Sequence, residues 1–426
     1  MSIAPKAVEG ILHRHAHKIV QEALADTRVV LINGARQVGK STLARQVSQG
    51  YAADYRTLDD PVLWETAVTD PVSFVRSDHL LVIDEIQRDP RLFLPIKQVV
   101  DLNPQPGQFL LTGSARVLGL RGLPDALPGR METVELWPFS QGEIDGESDG
   151  FVDWVFGQPD LPAQRSSFSR ADYFDRLTRG GFPEAVSRSV GRRRVFLDNY
   201  VDTLINRDVM QLSEIERRPQ LRALLKMVAA RSGQLLVPNS LANDLGLPRS
   251  TVDRYLSLFE EVFLVKRIPS WSRKVDARAT SQTKVALVDS GVAANLLDQD
   301  ATALTALGSA LAGGLLEGFV AMEIARQLTW ADVRASMYHY RTRDGVEVDI
   351  ILEDRRNRVV AIEIKASATV TAADFRGIDH LGKRIGDDLH AGVVLYTGER
   401  PVSFGPGRWA LPISTLWQIE PISRGI

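Results

Sequence analysis

Gly34-Ala-Arg-Gln-Val-Gly39-Lys40-Ser41-Thr42 restricts the fold of this chain more than any other stretch. It fills every defined position of the G-x-x-x-x-G-K-[ST] pattern, whose backbone N–H groups cradle phosphates at a helix N-terminus. Such a loop needs a strand before it and a helix after it. The flanks supply both: residues 28–33 are a short apolar run rich in β-branched side chains, and Lys40-Ser-Thr-Leu-Ala-Arg-Gln-Val follows. Gly34, Ala35, Arg36, Gln37, Val38, Gly39 and Thr42 are therefore expected to wrap a nucleoside triphosphate. Lys40 would reach its phosphates, and Ser41 would ligate Mg²⁺.

Two further apolar runs read as buried strands, residues 79–85 and 108–114, separated by a helical stretch at about 92–101. Strands alternating with helices predict a parallel sheet covered on both faces. The first run ends in Asp84-Glu85, which sets a carboxylate for the Mg²⁺ shell beside one that activates water. Thr112 and Ser114 end the second run. They either orient that water or merely satisfy turn backbone. Arg130 lies beyond the sheet and is the first candidate for an arginine finger reaching a neighbouring subunit, with Arg207 the second.

With 426 residues the chain exceeds what one hydrophobic core usually supports. The expected division is 1–145, an ATPase core; 146–230, a linker and helices; 231–298, a winged-helix-like domain; and 299–426, a C-terminal α/β domain. Residues 142–169 are loose and polar and read as linker or insertion. Residues 240–256 read as two helices about a Gly turn, the second opened by a Ser/Thr cap, with a strand following at 263–268. From about Leu315 a helix leads to strands at 338–343, 346–353, 359–364 and 392–396.

The absence of cysteine excludes disulfides and thiolate sites. No apolar run reaches about 18 residues, and the segment around His13, Arg14, His15, His17 and Lys18 has no signal-peptide core, so no membrane partner and a cytoplasmic location are expected. The net charge of −2 conceals a basic middle. Residues 191–278 hold 16 Lys/Arg against 10 Asp/Glu, which suits a polyanion such as DNA or a solvated helical face equally well. Arg249, Arg254, Arg273 and Lys274 are its candidate phosphate contacts.

A second chemical site sits near the C-terminus. Glu363 and Lys365 flank one apolar residue on a strand and so share a face. A hairpin brings Asp349 beside them. Two carboxylates can hold Mg²⁺ or Mn²⁺, and the lysine can handle a water that attacks a phosphodiester. This arrangement resembles the PD-(D/E)xK nuclease core, although Val348 stands where that pattern has proline. The resemblance implies a restriction-endonuclease-like fold and a further metal-ligating glutamate on an upstream helix, for which Glu317 is the candidate. Either a working nuclease or a structural remnant of that fold accommodates these residues.

Taken with Gly180-Gly-Phe-Pro183, Arg207-Asp208 and Asp289-Ser-Gly291, the chain resembles over nearly its full length a family of bacterial and archaeal AAA ATPases whose C-terminal half is a domain of unknown function with a nuclease-like fold. The resemblance implies ATP and Mg²⁺ as ligands and a homo-oligomer. The expected protein hydrolyses ATP, in a ring most often hexameric, and works on nucleic acid that its C-terminal domain cleaves. The alternative is an ATP-driven switch for a protein partner, with a degenerate nuclease-like domain.

Overall fold

The computed structural model describes residues 12–114, 127–157, 160–163, 165–209, 218–273 and 282–421, without the side chains of 207, 208 and 218. The chain divides into two compact units, residues 9–138 with 261–263, and the remainder.

In the first unit, β1 (Val29–Asn33), β2 (Ala53–Thr57), β3 (Leu80–Asp84), β4 (Phe109–Gly113) and β5 (Met131–Glu135) form one sheet in the order β2-β3-β4-β1-β5. Every pairing is parallel. β1, β3 and β4 are wholly buried, as their apolar runs require of strands covered on both faces. Residues such as Leu31, Leu81, Ile83 and Leu111 pack with Phe74, Phe93 and Ile96, and each buried side chain of this kind contributes about 1.5–3 kcal/mol. β2 and β5 carry no such run because each is only partly covered, so their sequences give no strand signal. An all-parallel sheet brings every strand's carboxyl end to one edge, which is where ligand crevices form.

In the second unit, helices Pro238–Leu245 and Arg249–Glu261 flank Gly246, whose φ of +62° makes the turn. The antiparallel hairpin of β6 (Val265–Ile268) and β7 (Lys284–Leu287) follows. The second helix begins at Arg249. Ser250 and Thr251 therefore lie inside its first turn rather than capping it, and the Thr251 and Val252 N–H groups donate to the Pro248 carbonyl. Six further strands form a mixed sheet in the order β12-β13-β11-β10-β9-β8: β8 (Ala335–Arg341), β9 (Glu347–Asp354), β10 (Val359–Lys365), β11 (Leu389–Tyr396), β12 (Val402–Ser403) and β13 (Arg408–Pro412). Helix Ala312–Trp330 packs on β8 and β10, and helix Arg376–Ile385 on β9, β10 and β11.

The polar stretch at 142–169 is not a linker among its described residues. Helix Phe151–Phe156 buries Phe151, Val152, Trp154, Val155 and Phe156. Its polar neighbours face inward: Asp149 is buried and accepts from Ser140 Oγ at 2.5 Å, while Ser140 and Glu143 close a capping box. The helix they start, Gln141–Asp145, falls in the second compact unit. Gln141 N–H donates to Glu323 Oε2 at 2.9 Å, and Arg176 pairs with Asp145 at 2.8 Å. Two of the family-like motifs meet here for a structural reason: the buried Asp289 carboxylate accepts from the N–H of Gly181 at 2.7 Å and of Val292 at 3.0 Å.

Candidate functional site

The phosphate loop leaves β1 at Asn33 and enters helix Lys40–Ser48. Two glycines are required by geometry. A Cβ on Gly34 would lie 2.0 Å from the Leu136 carbonyl oxygen, and Gly39 has φ of +93°. Ala35 and Val38 are buried, so those positions offer the loop's outer side only backbone. Arg14, buried, donates to the Val38 carbonyl at 2.9 Å and the Trp137 carbonyl at 2.6 Å, bracing the loop from behind. Read as sequence, Arg14 was one charge in a polar N-terminal run, and nothing local marks it as a brace.

Lys40 is only 4% exposed, and its ammonium lies 3.2 Å from Gly34 O and 2.8 Å from Ala35 O, inside the loop. Ser41 Oγ donates to Asp84 Oδ1 at 2.9 Å. The same carboxylate oxygen accepts from Thr112 Oγ1 at 2.5 Å, and Thr112 Oγ1 accepts from the Glu85 N–H at 3.0 Å. Thr112 thus positions Asp84 and the Glu85 backbone, and its hydroxyl hydrogen points to Asp84. Glu85 sits in the left-handed region at φ +61°, which turns its side chain out of the β3 register. Gln87 donates through Nε2 to Glu85 Oε2 and to Ser114 Oγ, the latter at 2.7 Å, and Ser114 Oγ donates to Glu85 Oε2 at 3.3 Å. The Glu85 carboxylate is held by Gln87 and Ser114. The role of Gln87, the last residue of the Leu81-Val-Ile-Asp-Glu-Ile-Gln87 stretch, is not legible in sequence because it lies past the strand, in a 3₁₀ turn at 86–88. Tyr55 on β2 is also near Asp84: burial and then the Asp84 charge push its hydroxyl well above the tyrosine range, opposed by Arg45, which stacks 4.1 Å from the ring.

The residues fit Mg²⁺ and a triphosphate: hard oxygen donors from Ser41 and Asp84 adjoin a buried ammonium and a loop with no room for side chains at Gly34. Arg130 stands apart. Its carbonyl accepts from Val29 N–H at the amino end of β1, so it lies at the sheet edge away from Lys40, where its guanidinium pairs with Asp101. Arg207 lies at 204–209 in a π-helical turn, its side chain outside the described residues.

The second unit brings Glu317, Asp349, Glu363 and Lys365 to one pocket of about 500 Å³, together with Glu347, Arg341 and Gly233. Close approach of the helix bearing Glu317 depends on Gly233, where an added Cβ would lie 2.6 Å from Glu317 Cβ. Lys365 Nζ contacts Glu363 Oε1 at 2.8 Å, as their shared strand face requires. Ile364 N–H donates to Asp349 Oδ2 at 3.0 Å. The unexpected member is Lys284 of β7. Its ammonium lies 2.9 Å from Asp349 Oδ1, 2.7 Å from Glu347 Oε1 and 3.6 Å from Glu317 Oε2, with 3% of the side chain exposed. Burial lowers its affinity for the proton, but Asp349, Glu317 and Glu347 outweigh that and hold it above the usual lysine range. Burial and the Asp349 charge push Glu317 up to about 8 and Glu363 up to about 7. Among the described residues no three Asp, Glu, His or Cys side chains are disposed to hold a metal ion. Glu317, Asp349 and Glu363 line one pocket, with the Lys284 ammonium in contact with the first two.

The candidate polyanion contacts are mixed. Arg249 pairs with Asp253 at 3.4 Å, one turn along its helix, and Arg254 lies 5.7 Å from the Tyr255 ring. Arg273 pairs with Asp388, and Lys274 lies outside the described residues. Among the described residues no helix is long and apolar enough to cross a membrane.

Residues 26–145 match the profile of an AAA domain. With the loop, the Ser41–Asp84 contact and the parallel sheet, this makes the first unit an AAA-type P-loop ATPase domain. Residues 170–303 and 312–416 match two domains of unknown function, DUF8612 and DUF4143. Uncharacterized proteins of Mycobacterium bovis and Mycobacterium tuberculosis are each 29% identical over 363 residues, 84% of this chain and 75% of theirs. Among solved structures, a Walker-type ATPase of Pyrococcus abyssi overlaps 69% of this chain and 98% of its own at 16% identity and a TM-score of 0.41. AMPPCP-bound DnaA of Aquifex aeolicus overlaps 61% and 93% at 18% identity and a TM-score of 0.30.

Proposed function

We propose that this chain hydrolyses ATP and uses the turnover to act on nucleic acid held by its second unit. The observation that carries the ATPase reading is the Ser41–Asp84–Thr112–Glu85 chain of hydrogen bonds beside buried Lys40. Lys40 neutralises phosphate charge, Ser41 and Asp84 hold Mg²⁺, and Glu85 accepts the proton of the attacking water. When bound, Mg²⁺ supplies charge stabilisation at the phosphoryl oxygens. Thr112 keeps the two carboxylates apart in their roles by fixing Asp84 and the Glu85 backbone. The experiment is steady-state hydrolysis of ATP by the purified chain in Mg²⁺.

Nucleic-acid binding is supported by the basic middle and by the exposed arginines of helix 249–261. Affinity for duplex or single-stranded DNA should fall steeply with salt, because each phosphate contact releases counterions. Charge reversal at Arg249 and Arg254 should weaken binding and flatten that salt slope while basal ATP turnover stays at the parental rate. Binding unmoved by salt and by both reversals would favour the switch with a protein partner.

Assembly into a closed homo-oligomer, most often six subunits in such proteins, is the expected way to complete an ATPase site with a neighbour's arginine. Arg130 and Arg207 are the candidates. Native mass measurement at micromolar protein with ATP should report the ring, and a monomer at every concentration would contradict it.

Metal-dependent cleavage of DNA by the second unit is the second reading; it requires a divalent ion to enter beside the Lys284 ammonium, and it is favoured by the Lys365–Glu363 pair and by Glu363 Oε2, buried without a hydrogen-bond partner among the described residues. Under it, Asp349→Ala or Glu363→Ala should abolish nicking of plasmid DNA in Mg²⁺ or Mn²⁺ without touching ATP turnover. No nicking by the parent protein in either ion would remove this reading.

A further inference from the structure

Four carboxylates, Glu317, Glu347, Asp349 and Glu363, share one pocket with three cations, Lys284, Arg341 and Lys365. The cations are not equivalent. Arg341 and Lys365 are each tied to one carboxylate at the pocket's side, Glu347 Oε2 at 2.7 Å and Glu363 Oε1 at 2.8 Å. Lys284 alone reaches three, entering from a different element. Its strand is fixed in place: β7 pairs with β6, Leu235 bridges to Lys284, and Gly233 N–H donates to the Val285 carbonyl at 2.7 Å. The ammonium is delivered by the fold and has little freedom to leave.

We propose that Lys284 is the resident cation of this cluster, an internal ammonium that neutralises Asp349 and Glu347, lies against Glu317 and excludes divalent metal, so that the pocket is a latent metal site. Two facts lead there. A hard divalent ion seeks several carboxylate oxygens in one small space, and Glu317, Glu347 and Asp349 offer them around one point, the Nζ of Lys284. A positive charge already within 2.7–3.6 Å of all three repels a second cation strongly in a site of low dielectric. Removing the ammonium without replacing its charge leaves carboxylates that repel one another unless a cation enters.

The test uses the full chain without nucleotide, so that it reads nothing of the ATPase site, and Mn²⁺ as the probe, followed by the electron paramagnetic resonance signal of the free ion. The parent and Lys284→Arg, which keeps the charge, should take up no Mn²⁺ beyond what Asp349→Ala takes up. Lys284→Met should bind Mn²⁺ at least tenfold more tightly than the parent, and Lys284→Met with Asp349→Ala should lose that gain. Thermal unfolding gives a second readout: Mn²⁺ should raise the melting temperature of Lys284→Met and leave the parent's unchanged. Asp349-dependent Mn²⁺ binding by the parent as tight as that of Lys284→Met would overturn the proposal, as would a folded Lys284→Met that ignores Mn²⁺. Should Lys284→Met fail to fold at any Mn²⁺ concentration, the parent decides: Asp349-dependent uptake overturns the proposal and none supports it.

Discussion

Glu85→Gln is expected to bind ATP as the parent protein does and to lose turnover by about 10²–10⁴-fold, the usual contribution of a positioned general base. The substitution keeps the size of the side chain and its contacts with Gln87 and Ser114, since an amide can still accept through one oxygen. It leaves the Glu85 N–H bonded to Thr112 Oγ1 and the Ser41–Asp84 contact untouched. The loss should therefore fall on kcat, with nucleotide affinity retained, and fluorescent-nucleotide titration beside steady-state hydrolysis separates the two. Thr112→Val should behave differently, because it removes the hydroxyl that donates to Asp84 and weakens Mg²⁺-dependent nucleotide binding itself. Parental turnover in Glu85→Gln would show that another group takes the proton.

The second large effect is on stability. Glu323 and Arg326, fully buried on helix Ala312–Trp330, pair at 2.7 Å, and Glu323 Oε2 also accepts from the Gln141 N–H. Burial pushes the Glu323 carboxyl up to about 7, with Arg326 pulling the other way. Breaking a buried pair from one side costs about 3–5 kcal/mol, and here the Val288 carbonyl and the Asp289 charge stay beside Arg326, which puts the cost at the lower end. Glu323→Ala should lower stability by that amount in denaturant unfolding followed by tryptophan fluorescence. Glu323→Gln fills the same space but keeps only one acceptor oxygen, for either Arg326 or the Gln141 N–H, and turns an NH₂ toward the other donor, so it should lose part of this stability and less than Glu323→Ala. A Glu323→Ala protein of parental stability would mean that Arg326 finds another anion or water.

Legibility from sequence tracked how locally each feature is specified. The phosphate loop, its strand and its helix were readable because glycines, lysine and hydroxyls occupy fixed spacings on contiguous chain. The strands at 80–84 and 109–113 were readable because double-sided burial demands unbroken apolar runs. β2 and β5, covered in part only, have no such demand, and helix Phe151–Phe156 was hidden by polar neighbours whose buried partners, such as Ser140 for Asp149, cannot be read from composition. At the sites, Asp84, Glu85, Ser41 and Thr112 come together as their strand ends imply. The roles of Gln87, Arg14 and Lys284 were not legible because each acts through a tertiary contact. Lys284 is the instructive one: it lies 65 positions from Asp349 along the chain, in a hairpin with no chemical motif of its own, and it changes what the pocket's carboxylates can hold.

The central claim is that residues 26–145 are a working ATPase, and the most direct measurement is phosphate release from ATP in Mg²⁺ by the parent protein beside Lys40→Ala. Lys40 is the buried cation of the loop, lying on the carbonyls of Gly34 and Ala35, and its removal takes away the charge that meets the phosphates. Steady release by the parent, abolished in a folded Lys40→Ala protein and dependent on Mg²⁺, is the predicted result. Equal release by both proteins, or none by a parent protein shown to be folded and supplied with Mg²⁺, would contradict it.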